Sequence, residues 1–411
     1  MEKSLNRYIK LFPWYSGITG DLLFYIAIDT LFLTIVKNFS SAEIVSITSL
    51  SRVACIVLQF PILFIIKKIG NTASVRLGAL SLLISAVFIT FGKSYYLVLI
   101  GRIFHDIAVI LRTASIVALE NNLELLGKRV DFVHIRTSAN TVYAVITMLI
   151  SFVASFLFNL NNYLPMICCI ATCTVGVVLS LFMKDCSSYN KIANKAKTKE
   201  KTKVHYSKFI ILTVIIYAVF YSLINHGQGE GKLFIQENIL LDFDVEKTAL
   251  IIGAVICISR IIRVISNIIF EKLYKKYQSQ MGVILPSFLV ASMGLLLFGS
   301  FISVFIVKIT VMTVGYAILL FVRDPFKLYI QDVVFESTPK EQHQTLLTVL
   351  EFGVKIAAAG VGLSFSAILT GYPLIVVISI MFALSIIEII LSLKLYREIL
   401  IGKKQRQIQG E

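Results

Sequence analysis

The sequence is 411 residues long, 57% hydrophobic and only 15% charged, with a mean hydropathy of +0.84. That balance excludes an ordinary soluble protein and points to helices that cross a bilayer many times. In that setting the formal net charge of +15 marks loops on one side of a membrane, not a nucleic-acid footprint.

A bilayer core is crossed by about 20 mostly apolar residues of helix, and such runs fill the chain from Tyr15 to Tyr396. The first run carries Asp21 and Asp29. It is too long for a signal-peptide core and lacks a small-residue cleavage site, so it is expected to remain as span 1. Span 2, SRVACIVLQFPILFIIKKIG, places Arg52 within the apolar run and ends in Lys67 and Lys68. Span 4, LIGRIFHDIAVILR, holds Arg102, His105, Asp106 and Arg112. After span 6 comes a basic stretch, residues 184 to 208, with eight lysines, read as a solvated tether.

Span 7 leads into NHGQGEGKLF, residues 225 to 234. A phosphate loop would need Gly at 226 and Ser or Thr at 233, and His226 and Leu233 stand there instead. The glycines are expected to break span 7 near its outer end and let it bend, with His226 and Glu230 as protonation candidates. Span 8, SRIIRVISNIIFEKLYKK, buries Arg260 and Arg263 in an otherwise lipid-like run. From Met281 to Val322 the one charge is Lys308. As a single helix this run would reach roughly 60 Å, about two membrane thicknesses, so the chain must reverse near residues 299 to 303. Span 10 ends in RDPFK with Arg323, Asp324 and Lys327, where the proline predicts a kink. Span 11 carries Glu351 and Lys355 ahead of AAAGVGLSFS, a small-residue packing stripe, and span 12 carries Glu388.

The count is twelve spans. Lys3, Arg7 and Lys10, the span 2 lysines, Lys128 and Arg129, the 184 to 208 stretch, Lys272, Lys275 and Lys276, and Lys403, Lys404 and Arg406 all fall on one side. By the positive-inside rule that side is cytoplasmic and holds both termini. The six cysteines, Cys55, Cys168, Cys169, Cys173, Cys186 and Cys257, form no zinc-type spacing. They read as small apolar fillers, and neither a metal nor a cofactor is expected.

The two halves repeat. Laying span 2 over span 8 with an offset of 208 matches Ser51 with Ser259, Arg52 with Arg260 and Gln59 with Asn267. An offset of 211 lays span 4 over span 10 and matches Gly101 with Gly315 and Arg112 with Arg323. The expected architecture is all-α, twelve transmembrane helices in two pseudo-symmetric six-helix bundles. The bundles occupy residues 1 to 183 and 208 to 398, with a basic linker at 184 to 207 and a basic tail at 399 to 411. Parallel repeats of this kind place a substrate cavity between the halves near the midplane.

Over essentially its whole length this pattern resembles the major facilitator superfamily. After span 2 that family carries G-x-x-x-D-R-x-G-R-R. Here LFIIKKIGNT, residues 63 to 72, keeps Lys68 and Gly70, while Leu63 replaces the glycine and Lys67 the aspartate. The counterpart after span 8, FEKLYKKY, keeps the charge order through Glu271 and Lys272. The resemblance implies gating roles for Lys68, Gly70, Glu271 and Lys272. Arg102 is similar to the family's span 4 arginine, and a span 1 aspartate opposite it resembles the proton-coupling arrangement of sugar/proton symporters. The proline-glycine antiporter motif is missing from span 5, TSANTVYAVITMLISFVASF.

A lone charge at the bilayer centre costs at least about 2.5 to 3.5 kcal/mol, so the intramembrane charges must face a cavity or a partner. Depth pairs Asp29 with Arg102 and Asp21 with Arg112. With His105 and Asp106 these are the proton-coupling candidates. Arg52, Arg260, Arg323 and Glu351 are the substrate-binding candidates, and salt bridging of the span 8 arginines to acids such as Glu351 is the structural alternative. The expectation is a monomeric secondary transporter of the bacterial cytoplasmic membrane. It moves a small polar or amphiphilic solute, anions included, by alternating access and with protons. The alternatives are a drug or lipid exporter of the same fold and an integral-membrane transferase.

Overall fold

In the computed structural model, residues 2 to 185, 208 to 338 and 343 to 409 are described, and they contain helices and turns but no strand. The first half comprises α1 (Glu2–Ile18), α2 (Tyr25–Leu31) with a π-helical turn at Phe32–Val36, α3 (Ser41–Ile69), α4 (Asn71–Phe91), α5 (Tyr95–Leu125), α6 (Phe132–Leu160) and α7 (Leu164–Leu181). The second comprises α8 (Lys208–Leu240), α9 (Val245–Tyr277), α10 (Met281–Gly299), α11 (Phe305–Ser337), α12 (His343–Leu369) and α13 (Leu374–Gln409).

Among the described residues ten helices, α3, α4 and α6 to α13, are long and apolar enough to cross a membrane. The chain is a multi-pass membrane protein. The two expected spans outside that set are the first and fourth. Span 1 is broken between α1 and α2, and α5 carries Arg102, Asp106 and Arg112 within its length. The long apolar run divides between Gly299 and Phe305, where the helix-length argument required a turn. Large apolar side chains such as Phe60, Phe64, Phe152 and Ile268 are exposed, as lipid-facing positions are.

The chain forms two compact units, Met1–Glu200 with Ala249–Cys257, and Lys201–Thr248 with Ile258–Glu411. In the first, Tyr8, Phe12 and Tyr15 of α1 pack on Val75 and Ala79 of α4 and on Ala114, Ala118 and Leu119 of α5. The two tyrosine hydroxyls donate to the Ser115 and Val75 carbonyls at 2.7 and 3.2 Å, which keeps polar tips satisfied inside an apolar core. The start of α4 and the end of α5 hold the chain leaving α7: Asn71 donates to the Asp185 carboxylate at 2.7 Å, and Asn122 to the Lys184 carbonyl at 3.2 Å. Between α3 and α4 sits Gly70, at φ +83° and ψ 167°, a conformation essentially reserved for glycine.

In the second unit α11 runs through Pro325 without interruption. Proline has no N–H for the carbonyl four residues earlier. That carbonyl, Phe321 O, accepts instead from the Ser266 hydroxyl at 2.6 Å. The repeat partners Gly101 and Gly315 do the same work in their own units. A Cβ on Gly101 would meet Ile89 and Phe88 of α4, and one on Gly315 would meet Ser292 and Leu295 of α10. Each glycine lets its helix close on the preceding one.

Candidate functional site

In the first unit the polar site is built at the interruption of span 1, which the sequence reading had treated as one continuous span. Gly17 and Gly20 lie against Val142 and Tyr143 of α6 so closely that a Cβ would collide there. The helix stops after Ile18, and residues 19 to 24, Gly20 among them, are not helical. In lipid, freed backbone groups must find other partners, and here side chains supply them. Arg112 of α5 donates to the Thr19 carbonyl at 2.8 Å, and the Asp21 carboxylate accepts the Leu22 N–H at 2.8 Å. The Phe24 and Tyr25 N–H groups point to the Cys169 sulfur of α7. Cys169 is therefore more than the apolar filler expected of it, and no spacing in the sequence signals the role.

His105 of α5 lies between two carboxylates, with Nε2 2.9 Å from Asp21 Oδ1 and Nδ1 3.3 Å from Asp106 Oδ1. A neutral imidazole donates from one nitrogen only, whereas an imidazolium donates from both. Both contacts are therefore made only when the group holds one proton more than a neutral imidazole and two carboxylates, carried on His105 or on one of the acids. Arg102, one turn earlier, has Tyr25, Asp106, Asp21 and Asp29 as its electrostatic neighbours. Its buried Nε and the buried Asp106 Oδ2 have no hydrogen-bond partner. Arg102, Asp21 and Asp106 sum to one negative charge, so a protonated His105 brings the four to neutrality. The depth pairing of Asp21 with Arg112 is corrected: Asp21 pairs with His105, because the broken helix exposes the Thr19 carbonyl and Arg112 goes to that. Asp29 is in the field of Arg102, and its Oδ1 accepts the Thr30 N–H at 2.7 Å. Arg52 stands on α3 in this unit, half-buried.

The second unit gathers cations. Arg263 binds Asp324 through two hydrogen bonds, of 2.7 and 3.1 Å. Lys327 Nζ lies 2.6 Å from Glu351 Oε1, and Tyr217 Oη lies 3.5 Å from the same oxygen. The structural alternative, salt bridging of the span 8 arginines to acids, holds for Arg263 through Asp324, whereas Glu351 pairs with Lys327 of α11. Arg323 donates to Gln228 Oε1 of α8 at 3.2 Å, and Arg260 and Arg263 are among its electrostatic neighbours. Arg260 Nε and Gln228 Nε2 are buried donors without an acceptor.

Also in this unit, α8 continues unbroken through residues 225 to 234, so the expected break is absent and His226 and Glu230 lie mid-helix. Glycine costs a helix interior only about 1 kcal/mol, far less than unsatisfied backbone in lipid. A Cβ on Gly227 would strike Leu319 and Met293, so that glycine serves close packing. His226 Nδ1 is 2.8 Å from Glu230 Oε1 and Nε2 is 2.8 Å from the Ala358 carbonyl. Of the gating candidates, Lys68 and Lys272 are exposed and Gly70 forms the α3–α4 corner. Glu271 lies on α9, and its side chain is outside the described residues.

These helices make the major facilitator fold, a fold of membrane transporters. No protein-family model matches the chain, and no curated protein matches it by sequence. Among solved structures it is similar to the nucleoside transporter NupG in a point-mutant form, with a TM-score of 0.78 over 95% of this chain and 99% of that one, at 10% identity. It is also similar to a bacterial homologue of the iron transporter ferroportin in its inward-facing state, with a TM-score of 0.67 over 96% of this chain and 98% of that one, at 10% identity. A bacterial metal transporter gives 0.65 over 95% and 98%, at 11% identity.

Proposed function

We propose that this protein is a proton-coupled secondary transporter of the bacterial cytoplasmic membrane, moving a small polar or amphiphilic solute by alternating access. The observation that carries the reading is His105 held between Asp21 and Asp106 beside Arg102. Ionisable groups inside a membrane are expensive and mark ion pathways. This group changes charge by one proton at an imidazole, the side chain whose ordinary titration lies nearest neutrality. Arg52, Arg260, Arg323 and Glu351 serve the solute, Asp29 and Arg112 support the proton site, and Lys68, Gly70, Glu271 and Lys272 serve gating. With the broken α1–α2 segment and the charged α5 added to the ten apolar helices, the chain has twelve spans, both termini cytoplasmic.

The test is transport in proteoliposomes. Asp21→Asn and His105→Gln each remove the proton-linked charge, so pH-driven accumulation should fall to background while substrate exchange at equal pH continues. Full pH-driven accumulation in both variants would refute proton coupling at this site.

A further inference from the structure

Resting on the transporter reading, we infer that Arg260, Arg323 and Gln228 form the recognition site for a small oxyanion, a carboxylate or a phosphate. The charge balance of the second unit leads there. Arg263 is neutralised by Asp324 and Lys327 by Glu351. No ion pair joins Arg260 or Arg323 to a carboxylate among the described residues. Within this cluster the four cations Arg260, Arg263, Arg323 and Lys327 face two acids, Asp324 and Glu351, which leaves two positive charges in excess. Asp324, which lies in the field of Arg323, is already bound by Arg263, so the two guanidinium groups share a membrane-spanning unit with too little acid to neutralise them.

The hydrogen-bond inventory has the same sign. The Gln228 carboxamide spends its oxygen on Arg323 Nη1 and leaves Nε2 buried with no acceptor. Arg260 Nε is buried and unmet as well. Leaving such buried donors unpaired destabilises the site, and a ligand bearing acceptor oxygens removes that penalty. The backbone holds the donors in place: Tyr221 donates to the Arg323 carbonyl at 2.7 Å and Tyr316 to the Gln228 carbonyl at 3.1 Å. Arg260 and Arg323 are both only partly buried. A planar guanidinium matches a carboxylate or phosphate through paired N–H groups. A divalent metal ion needs oxygen, nitrogen or sulfur ligands and meets donors and positive charge here. A neutral nucleoside satisfies donors but leaves the charge unbalanced.

Titration calorimetry on the purified, detergent-solubilised protein decides the matter, with inorganic phosphate, succinate, uridine and Mn²⁺ as ligands. Phosphate or succinate should bind, and whichever displaces the other identifies the oxyanion. Arg260→Gln and Arg323→Gln should each weaken that binding about tenfold or more, equivalent to about 1.4 kcal/mol, while the same change at the exposed Arg129 leaves it unchanged. Gln228→Glu guards against misfolding, because it gives Arg323 a carboxylate. It should abolish anion binding without lowering the melting temperature. The inference fails if neither anion binds, if uridine or Mn²⁺ binds and is lost in the arginine variants, or if Gln228→Glu binds the anion normally. Uptake into proteoliposomes separates the two readings. Anion binding without uptake removes the transport reading alone, and accumulation of uridine without anion binding removes this inference alone.

Discussion

At the scale of single residues, His226 and Glu230 show how a hydrogen-bond geometry fixes a proton. The Ala358 carbonyl only accepts, so Nε2 carries a hydrogen, and the 2.8 Å contact from Nδ1 to Glu230 Oε1 then holds one further proton between them. Both side chains are almost wholly buried. Glu230→Gln preserves a donor toward a neutral imidazole and should change the melting temperature little. His226→Leu leaves a buried carboxyl without its partner and should cost about 3 to 5 kcal/mol, read as a clear drop in thermal stability. Equal losses in the two variants would contradict the shared proton. The identities of the charged residues were legible beforehand, because charge in a bilayer must have a purpose. Their partners were not. Depth along a helix follows from its rise per residue, but which neighbour a side chain meets depends on helix rotation and on interruptions. Hence depth matches Asp21 to Arg112 although His105 is its partner, and of the acids open to the span 8 arginines Asp324 takes Arg263 while Lys327 holds Glu351.

At the scale of the element, two glycine-bearing segments behave oppositely. Span 1 breaks around Gly20, after Ile18, and α8 does not break at Gly227, Gly229 or Gly231. Glycine permits either outcome. What separates them is whether neighbouring side chains take over the freed backbone groups, as Arg112, Asp21 and Cys169 do for span 1. That information lies in tertiary contacts and is invisible in a local motif. By contrast, the Gly70 corner is a local matter and was legible from its motif. Gly70→Ala should destabilise by about 1 to 3 kcal/mol even though no atom lies within 4 Å of a Cβ there, since the strain is in the backbone alone. Asparagine should not rescue it, because ψ 167° lies outside the left-handed helical region that asparagine tolerates. Thermal unfolding of the two variants checks both statements, and a wild-type melting temperature for Gly70→Ala would refute the first.

At the scale of the whole molecule, the sequence repeat finds physical counterparts in each unit. Gly101 and Gly315 close their helices on the preceding ones. Arg112 reaches the Thr19 carbonyl at the interruption of span 1, and Arg323 reaches Gln228 within α8, the first helix of the second unit. The basic residues bias the loops, so cysteines placed singly at 184 to 208 should react with impermeant reagents only from the cytoplasm, and those at 241 to 247 only from outside. Labelling of both from one side would overturn the twelve-span topology.

The cluster around Arg102 also bears on how the chain is made. Span 1 leaves the ribosome ahead of α3 to α5, carrying Asp21 and Asp29, and at a helix centre each acid raises the cost of entering lipid by about 2.5 to 3.5 kcal/mol. Arg102 and His105, which answer those charges, emerge only after α3 and α4 have been synthesised. Until then the first span is a poor substrate for the insertion machinery. The charges that build the polar cluster of the finished protein therefore make its biogenesis depend on α5 retrieving α1 and α2 into the membrane.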